Sequence, residues 1–566
     1  MFSKDPEMKI VIVGGVAGGA SAAARARRLD ESAEIILLER GQHPSFANCG
    51  LPYYVGGEIA SRDKLLVAPV ERLRGRYRLD VRTRSEAIAI DRAKKHVRVR
   101  QLDNGAEYEE SYDKLILSTG ASPFRPPIPG IESARVLELR DLADADRMHA
   151  AATAGARRAV VVGAGFIGVE VAENLHRRGI AVTILQLTDQ ILPPWDREMI
   201  VPVQEHVRDQ GVDLRLSSSA ARFEETDQGL TVELTSGETV TCDFAVVSIG
   251  VRPESRLAAQ AGIQCGPRGG IVTNDFMQTS DPDVYAVGDV AEVMDFVTKQ
   301  PVQIPLAGPA NRQGRLAAEH IFGRSNSYRG TQGTAIVGVL GKTCAMTGQS
   351  EKLLQRSGIA YEKIYVHPSD HAGYYPGAAP LTLKLLFAPE DGRILGAQCV
   401  GTSGVDKRID VIAMAIQAGM TVYDLEEAEL CYAPQYGHAK DPINMAGFVA
   451  AGVLRGDHPV CHEALHCDAT EDAVPTTVLD VRTDAEFEAG HVPGAIHIPL
   501  ESLRERIDEL PREGKIVAYC QVGQRGYMAT RLLLQNGFDV ANYSGGYTSW
   551  RRSPAALADT GAPAGR

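Results

Sequence analysis

Cys49 and Cys520 stand out among the nine cysteines because the residues around them suit reactive thiol chemistry. Cys49 lies in SFANCGLPYYVGG; a reactive thiolate needs a low pKa, and a helix start just after Cys49 could contribute to it. Cys520 follows the apolar run KIVAY and opens the loop CQVGQRG, whose backbone N–H groups can surround a sulfur anion at a helix N-terminus. Such thiolates attack disulfides and form mixed disulfides or sulfenic acids. We therefore predict that these two residues are the working sulfurs.

Two glycine-rich loops predict the binding of two dinucleotides. The apolar run KIVIV leads into the first loop at Gly14, and after a helical stretch the strand IILLE ends at Glu39. The pattern repeats from AVVVG through the loop 163–168 to AVTILQ, which ends at Gln186. Backbone N–H groups in such turns bind a pyrophosphate, and an acid that ends the second strand binds a ribose hydroxyl. Val16 takes the place of the middle glycine in the first loop, which makes that loop alone a weaker match.

Length and composition predict several soluble domains. The 566 residues are too many for one core, and domains of about 100 to 200 residues predict three or four. The net charge of −12 disfavours nonspecific binding to nucleic acid. Nine cysteines without CxxC pairs indicate a reducing compartment, and we predict no metal site. Because we find neither a leader peptide nor an apolar run of about 20 residues, we expect a cytoplasmic protein without a membrane span.

Three further segments each place a glycine just after an apolar strand: LILSTGA at 115–121, VVSIGVRPES at 246–255 and TSDPDVYAVGDV at 279–290. Together with the two loops, they make residues 8–450 resemble the pyridine nucleotide-disulfide oxidoreductase family. In that family a nicotinamide-binding domain is inserted into a split FAD-binding domain, and a dimerisation domain follows. The resemblance therefore implies two Rossmann-like α/β domains and an α+β dimerisation domain.

The same resemblance implies FAD and NADH or NADPH as cofactors, with Asp289 at the ribityl chain of the flavin. Gln186 stands where a glutamate would favour NADH, yet no arginine follows closely to bind the 2′-phosphate of NADPH, so we expect NADH or dual use. The implied cofactor-binding residues are Gly14, Val16, Ala17, Gly18, Glu39, Arg40, Thr119, Gly120 and Asp289 in the first fold, and Gly163, Gly165, Phe166, Ile167, Gly168, Gln186 and Gly250 in the second.

Cys49 has no second cysteine nearby, whereas most disulfide reductases of the family carry two that are separated by four residues. A single cysteine resembles two subfamilies, the coenzyme A-disulfide or persulfide reductases and the NADH oxidases and peroxidases. The oxidases and peroxidases typically have a histidine in the helix after the first loop, and GGASAAARARR has none. The first subfamily is therefore the better match.

Ser21, Arg25 and Arg28 share one helical face. This face is either a solvated basic surface or a binding site for a phosphorylated ligand. The resemblance favours the second interpretation and implies that coenzyme A is bound by Ser21, Arg25, Arg28, Ser45, Asn48, Arg76 and Lys440.

The segments HAGYYPGA and LCYAPQYGHAKDPIN resemble those from which the partner subunit brings two tyrosines and a lysine towards the cysteine. The matching residues are Tyr374, Tyr432 and Lys440, although by sequence alone the tyrosines would be interface or surface aromatics. A phenol can donate a proton to a leaving sulfur. We therefore expect a homodimer with shared active sites.

Residues 473–553 resemble a rhodanese domain, with Cys520 as its sulfur carrier. The loop around the sulfur comprises Gln521, Val522, Gly523, Gln524, Arg525 and Gly526. Asp480, Arg482 and His491 match scaffold positions. The predicted division of the chain is an FAD-binding domain at 8–150 and 271–330, an NAD(P)-binding domain at 151–270, a dimerisation domain at 331–455, a linker at 456–472 and a rhodanese domain at 473–560.

The combined prediction is a flavoprotein in which NAD(P)H supplies electrons to Cys49 and Cys520 supplies sulfane sulfur. Coenzyme A disulfide contains no sulfane sulfur, so a fused sulfur carrier favours persulfide or polysulfide reduction over coenzyme A-disulfide reduction. An NADH oxidase or peroxidase, or a sulfur-trafficking redox sensor, is the alternative.

Overall fold

The computed structural model describes residues 8–227, 229–462, 465, 476–553 and 556. The chain forms two compact units. The first contains residues up to 187 together with 218–333, and the second contains 188–217 and the residues from 334 onwards. Within the described part, none of the helices has the length and apolar character that a membrane span requires.

The first unit contains a five-stranded sheet whose paired strands all run parallel. Its central residues Ile10, Val11 and Ile12 are fully buried, because both faces of a parallel sheet are covered. The helix Ala17–Leu29 follows the central strand, as the first glycine loop predicts. In spatial order, the strands are Val284–Ala286, Lys114–Leu117, Lys9–Val13, Glu34–Leu38 and Asp80–Arg82.

A second parallel sheet in this unit repeats the arrangement around the second glycine loop. Its strands are Ala181–Leu185, Arg158–Val162, Phe244–Val247 and Val136–Leu137, and the helix Phe166–Arg177 follows the loop. The prediction of two Rossmann-like folds is thus confirmed. The remaining strands of the unit are Ser85–Asp91, His96–Gln101, Glu107–Ser111, Ala121–Pro123, Ala220–Thr226, Gly229–Leu234, Thr239–Cys242, Val251–Pro253, Ile271–Val272, Ala291–Met294 and Pro301–Val302; its other helices are Leu51–Gly56, Val70–Tyr77, Leu142–Thr153, Arg256–Gln260 and Ala307–Ile321, with 3₁₀ turns at Asn48–Gly50, Arg62–Leu65 and Gly288–Val290.

The second unit contains an antiparallel sheet, which agrees with the predicted α+β dimerisation domain. In spatial order its strands are Ala335–Val339, Lys342–Gly348, Ile394–Gly401, Thr382–Phe387 and Glu362–Val366. The unit also contains the helices Arg197–Asp209, Glu351–Ser357, Val405–Ala418, Val422–Glu426 and Pro442–Leu454 and the short strand Asp213–Arg215.

A buried ion cluster joins the segment 188–217 to this antiparallel sheet. The fully buried Lys384 donates hydrogen bonds from its ammonium to Asp196 at 2.9 Å and to Glu198 and Glu351, each at 2.6 Å. Lys363 donates a further bond to Glu351 at 2.6 Å. The three carboxylates therefore surround an ammonium group, which balances their charge.

A parallel five-stranded sheet at the C-terminal end of the chain forms the predicted rhodanese fold. In spatial order its strands are Val460–Cys461, Val540–Tyr543, Lys515–Tyr519, Thr476–Asp480 and Ile496–His497, with helices Asp484–Glu488, Gln524–Gln535 and Gly546–Trp550 and a 3₁₀ turn at Ile507–Glu509. The prediction of an irregular linker at 456–472 needs a correction: Val460–Cys461 is an edge strand, because it pairs in parallel with Asn542 and Tyr543. Most of the later part of that segment lies outside the described residues.

Candidate active sites

The first glycine loop forms a tight turn that Glu39 closes. Gly14 has a φ of +99°, and a Cβ at this residue would clash with the carbonyl oxygen of Ser118. The Glu39 carboxylate accepts hydrogen bonds from the N–H groups of Gly15 at 2.8 Å and Gly41 at 2.7 Å. Val16 supplies no side-chain cap to the helix Ala17–Leu29, so its first N–H groups suit an external anion.

The other residues predicted for the first nucleotide lie near the ends of neighbouring strands. Thr119 donates its hydroxyl to the carbonyl of Glu254 at 2.8 Å, and Arg40 is exposed. Asp289 lies in the turn Gly288–Val290, where burial raises the pKa of its carboxyl group and Arg140 opposes that rise. The structure thus brings a glycine cradle and strand-end polar groups together on one sheet, an arrangement that fits a dinucleotide such as FAD.

The second loop repeats the closure seen in the first. The side-chain oxygen of Gln186 accepts the N–H of Ala164 at 2.8 Å, in the position equivalent to the bond from Gly15 to Glu39. Gln186 is only 7% exposed, so it holds the loop in addition to any role towards a ribose. A Cβ on Gly165 would meet no protein atom within 4 Å, which leaves room at the start of the helix Phe166–Arg177 for a phosphate. Ile167 and Gly250 are exposed beside this space, whereas Gly163 and Gly168 are buried in the turn.

Cys49 lies in the exposed turn Asn48–Gly50, directly before the helix Leu51–Gly56. Burial of the sulfur raises the pKa of the thiol, and the nearby carboxylates of Glu170 and Asp289 raise it further. Among the protein groups alone, the start of the helix Leu51–Gly56 does not lower this pKa; the lowering predicted for the site also depends on the dipoles of a bound flavin and stays a prediction. A six-residue helix has a weak dipole, and two acidic side chains oppose it.

Glu170 is held beside this turn by Tyr53, which donates its hydroxyl to the carboxylate at 3.0 Å. Burial raises the pKa of Glu170, and the hydrogen bond from Tyr53 opposes that rise. Sequence reasoning missed both residues. The signal lay beside the second glycine motif, since Glu170 follows Gly168 by two residues in the helix Phe166–Arg177.

The residues predicted to bind coenzyme A differ in their exposure and in whether they already bind other residues of the protein. Arg25 forms an ion pair with the buried Glu319 at 2.5 Å, and Ser21 donates a hydrogen bond to Asn311. Glu319 therefore balances the charge of Arg25. Arg25 Nε is nevertheless buried without a hydrogen-bond partner among the described residues, which leaves one donor for a ligand. Arg28, Asn48, Arg76 and Lys440 are exposed, and Ser45 is half-buried with a φ of +51°.

Tyr374 and Tyr432 meet at the surface of the second unit. They are 77% and 51% exposed, and their hydroxyl oxygens are 3.2 Å apart. The hydrogen bond to Tyr432 raises the pKa of Tyr374, so the phenol keeps its proton. Two residues 58 positions apart in sequence thus form a single hydrogen-bonded pair of phenols.

Cys520 lies in a closed loop at the start of the helix Gln524–Gln535. Its residue is 1% exposed, and the N–H of Gly523 donates a hydrogen bond to Sγ at 3.2 Å. Arg525 interacts with Cys520 and forms two hydrogen bonds to Glu486, at 2.8 and 2.7 Å. The ion pair lowers the pKa of Glu486 to about 2. The guanidinium of Arg525 is therefore held beside the sulfur of Cys520.

The scaffold residues of this domain behave as predicted. Asp480 and Arg482 form a buried ion pair at 2.7 Å, and Arg482 also donates to the side chain of Gln521 at 3.2 Å. His491 stacks on Phe487 with the ring centres 3.8 Å apart. Sequence reasoning missed Glu486, although its place three residues after the helix cap Thr483 marks a capping box.

Comparisons with known sequences and with solved structures identify proteins that are similar to this chain. A coenzyme A disulfide reductase of Staphylococcus epidermidis is 37% identical over 443 residues, which cover 78% of this chain and 99% of that protein. A crystal structure of the reduced Bacillus anthracis protein CoADR-RHD has a TM-score of 0.95 and 46% identity, and the match covers 98% of this chain and 99% of that one. An NAD-dependent persulfide reductase from A. fulgidus has a TM-score of 0.88 and 37% identity, with 96% and 100% covered.

The domains match known families in the same order. Residues 335–441 match the dimerisation domain of the pyridine nucleotide-disulphide oxidoreductases, and residues 464–553 match the rhodanese-like domain. Residues 8–314 match the pyridine nucleotide-disulphide oxidoreductases themselves. With two dinucleotide folds in one unit and a solitary cysteine beside the first, the chain belongs to the pyridine nucleotide-disulphide oxidoreductase family and carries a C-terminal rhodanese-like domain.

Proposed function

We propose that this protein uses NAD(P)H to reduce persulfides or polysulfides, and coenzyme A disulfide, at Cys49, while Cys520 carries sulfane sulfur. The observation that carries this proposal is the presence of both sulfurs in one chain, one after a dinucleotide fold and one in a rhodanese loop that keeps its cysteine and arginine. Bound FAD would pass two electrons from the nicotinamide to the sulfur of Cys49.

The reaction at Cys49 is a thiol–disulfide exchange. The thiolate attacks the inner sulfur of a persulfide R–S–S–H, so that the S–S bond breaks, HS⁻ leaves and a mixed disulfide Cys49–S–S–R forms. An electron pair then cleaves the mixed disulfide, and R–S⁻ takes up a proton. With coenzyme A disulfide the same attack releases one coenzyme A thiolate before the second.

We assign the proton donation to Tyr374 of the partner subunit and Tyr432 of the partner subunit. Their hydrogen-bonded hydroxyls and the raised pKa of Tyr374 support this role, because a protonated phenol can neutralise a leaving thiolate. The proposed enzyme is therefore a homodimer with shared active sites, which the match to the family's dimerisation domain supports. Coenzyme A would lie on the face of Ser21, Arg25 and Arg28.

We also propose the domain boundaries predicted from the sequence, with the linker shortened at its N-terminal side by the strand Val460–Cys461. The described cysteines are all free thiols, which supports a reducing compartment such as the cytoplasm.

Anaerobic turnover tests the proposal. NADH consumption and sulfide release are measured with coenzyme A persulfide, inorganic polysulfide and coenzyme A disulfide. We expect Cys49→Ser to abolish all three reactions, and Cys520→Ser to spare the reduction of coenzyme A disulfide. Cys265→Ser, a half-buried cysteine outside both sites, serves as the control. If persulfides released no sulfide, the ranking of persulfides above coenzyme A disulfide would be wrong.

A further inference from the structure

One short segment of the rhodanese domain lies between the Cys520 loop and the antiparallel sheet of the dimerisation domain. This connecting segment comprises residues 544–549, which follow the strand Val540–Tyr543 and include most of the helix Gly546–Trp550. All of these residues belong to the second compact unit.

On one side, the connecting segment binds the backbone of the sulfur loop. The N–H of Tyr547 donates to the carbonyl of Cys520 at 2.7 Å, and the N–H of Thr548 donates to the carbonyl of Gln521 at 3.0 Å. A Cβ on Gly546 would clash with the Cys520 carbonyl, so the two backbones are in direct contact. Because these carbonyls are bonded to the connecting segment, the loop is held in the conformation in which the N–H of Gly523 donates to Cys520 Sγ.

On the other side, the connecting segment binds the end of the strand Glu362–Val366. The N–H of Tyr365 donates to Ser544 Oγ at 3.1 Å, and His367 Nε2 lies 2.9 Å from Ser549 Oγ. Gly545 has a φ of +73°, and a Cβ there would lie 2.8 Å from His367 Nε2. The imidazole therefore packs directly against the turn that precedes the helix.

The other ring nitrogen of His367, Nδ1, also forms a hydrogen bond. That bond determines which atom is the donor between Nε2 and Ser549. His367 Nδ1 lies 3.0 Å from Thr382 Oγ1, and that oxygen accepts a hydrogen bond from Arg552 at 3.0 Å. With Thr382 donating its hydroxyl proton to Nδ1, the proton on Nε2 points at Ser549. Burial and the nearby Arg552 lower the pKa of His367 to about 3, so the ring is neutral and keeps this arrangement at neutral pH.

We propose that His367 of the dimerisation domain is a positioning residue for sulfur transfer at Cys520: it fixes Ser549 and the connecting segment, which in turn holds the Cys520 loop in the conformation that cradles sulfur. The inference rests on the proposed sulfur-carrying role of Cys520. It means that the rhodanese site is completed by the dimerisation domain, although no atom of His367 contacts the reacting sulfur.

Sulfur transfer from thiosulfate to cyanide tests the inference on the full-length FAD-loaded protein. Cys520 takes the outer sulfur as a persulfide and releases sulfite, and cyanide then removes that sulfur as thiocyanate. We expect His367→Ala to lower kcat for thiocyanate formation about tenfold, since the loop loses its support. The reduction of coenzyme A disulfide should stay within about twofold, because Cys49 lies on another domain.

The variant His367→Gln tests whether His367 acts through its hydrogen bond to Ser549 or only by filling space. The glutamine amide can still donate to Ser549, so this variant should recover most of the lost kcat, together with the rate at which iodoacetamide alkylates Cys520. His206→Ala, at a half-buried histidine of the same unit that bonds only the Leu340 carbonyl, should match the wild type in both assays.

The outcomes distinguish the two proposals. If the wild type formed no thiocyanate, or if Cys520→Ser formed as much, the sulfur-carrying role itself would fail. If Cys520 proved essential but His367→Ala kept the wild-type kcat and alkylation rate, the sulfur-carrying role would stand and the role of His367 would be refuted. An equal loss in the alanine and glutamine variants would also overturn the positioning role, because a shared loss would indicate general packing.

Discussion

Replacing Lys384 by methionine removes a buried ammonium that three carboxylates share, and it should destabilise the second unit strongly. Lys384 is fully buried and bonds Asp196, Glu198 and Glu351. Burial raises the pKa of Glu351, but the charge of Lys384 and the hydrogen bonds from Lys363 and Lys384 outweigh that effect and bring the pKa from 4.5 to about 2.

The magnitude follows from that shift. A fall in pKa from 4.5 to about 2 corresponds to ~3 kcal/mol of stability at neutral pH. Loss of one partner of a buried ion pair costs about 3 to 5 kcal/mol. We therefore expect Lys384→Met to lose ~3 kcal/mol, which for a unit of this size lowers Tm by about 6 to 12 °C.

The pH dependence has a definite sign. In the wild type, the pKa of Glu351 is depressed, so its contribution is present above the unfolded value of about 4.3 and is lost as the pH falls towards 2. In Lys384→Met, burial without the cation should raise the pKa of the carboxyl groups above their unfolded values. The variant then loses stability as the pH rises, and its deficit in Tm should be larger at about pH 8 than at about pH 5.5.

Thermal unfolding of the FAD-loaded chain at both pH values measures this deficit. Lys363→Met is the matched control, because its side chain is 22% exposed and bonds Glu351; we expect a smaller loss of Tm. A deficit in Lys384→Met below about 2 °C at both pH values, or one that shrinks as the pH rises, would refute the reasoning.

Three further substitutions test the sites. Glu486→Gln removes one partner of the ion pair with Arg525, so the KM for thiosulfate should rise about tenfold with a smaller change in kcat, measured by thiocyanate formation. Gly165→Ala meets no protein atom, so the fold and the FAD content should be unchanged while the KM for NADH rises about tenfold in steady-state assays. Tyr374→Phe removes a hydroxyl that pairs with Tyr432, and we expect kcat for persulfide reduction to fall about tenfold without loss of Tm.

Each of these substitutions has a control in the same chain. Glu509→Gln breaks the exposed ion pair with Arg506, and Gly308→Ala adds a methyl group in open space within a helix. Tyr423→Phe alters a surface tyrosine that stacks with Arg455. Kinetic losses in these controls equal to those in the site variants would contradict the assigned roles, as would unchanged KM or kcat values in the site variants.

Much of the fold follows from local patterns. The two glycine loops predict the strand–turn–helix units at Lys9–Leu29 and Arg158–Arg177, because a glycine turn between an apolar strand and a helix specifies its own geometry. The edge strand Val460–Cys461 could not be predicted, since a two-residue strand in a polar segment depends on a partner 82 residues later in the chain. The same limitation applies to the pKa of Cys49, which is raised by burial of the thiol and by the carboxylates of Glu170 and Asp289 from distant parts of the sequence.

The sequence by itself determined which residues can do chemistry: the two cysteines and the loop glycines are recognisable from their types and immediate neighbours, whereas the two tyrosines were identified only through the family resemblance. Only the tertiary structure decided their partners, such as Glu319 for Arg25, Glu486 for Arg525 and Ser549 for His367. The physical reason is that an ion pair or hydrogen bond depends on distances of a few ångströms, and distant segments of the chain reach such distances only through folding.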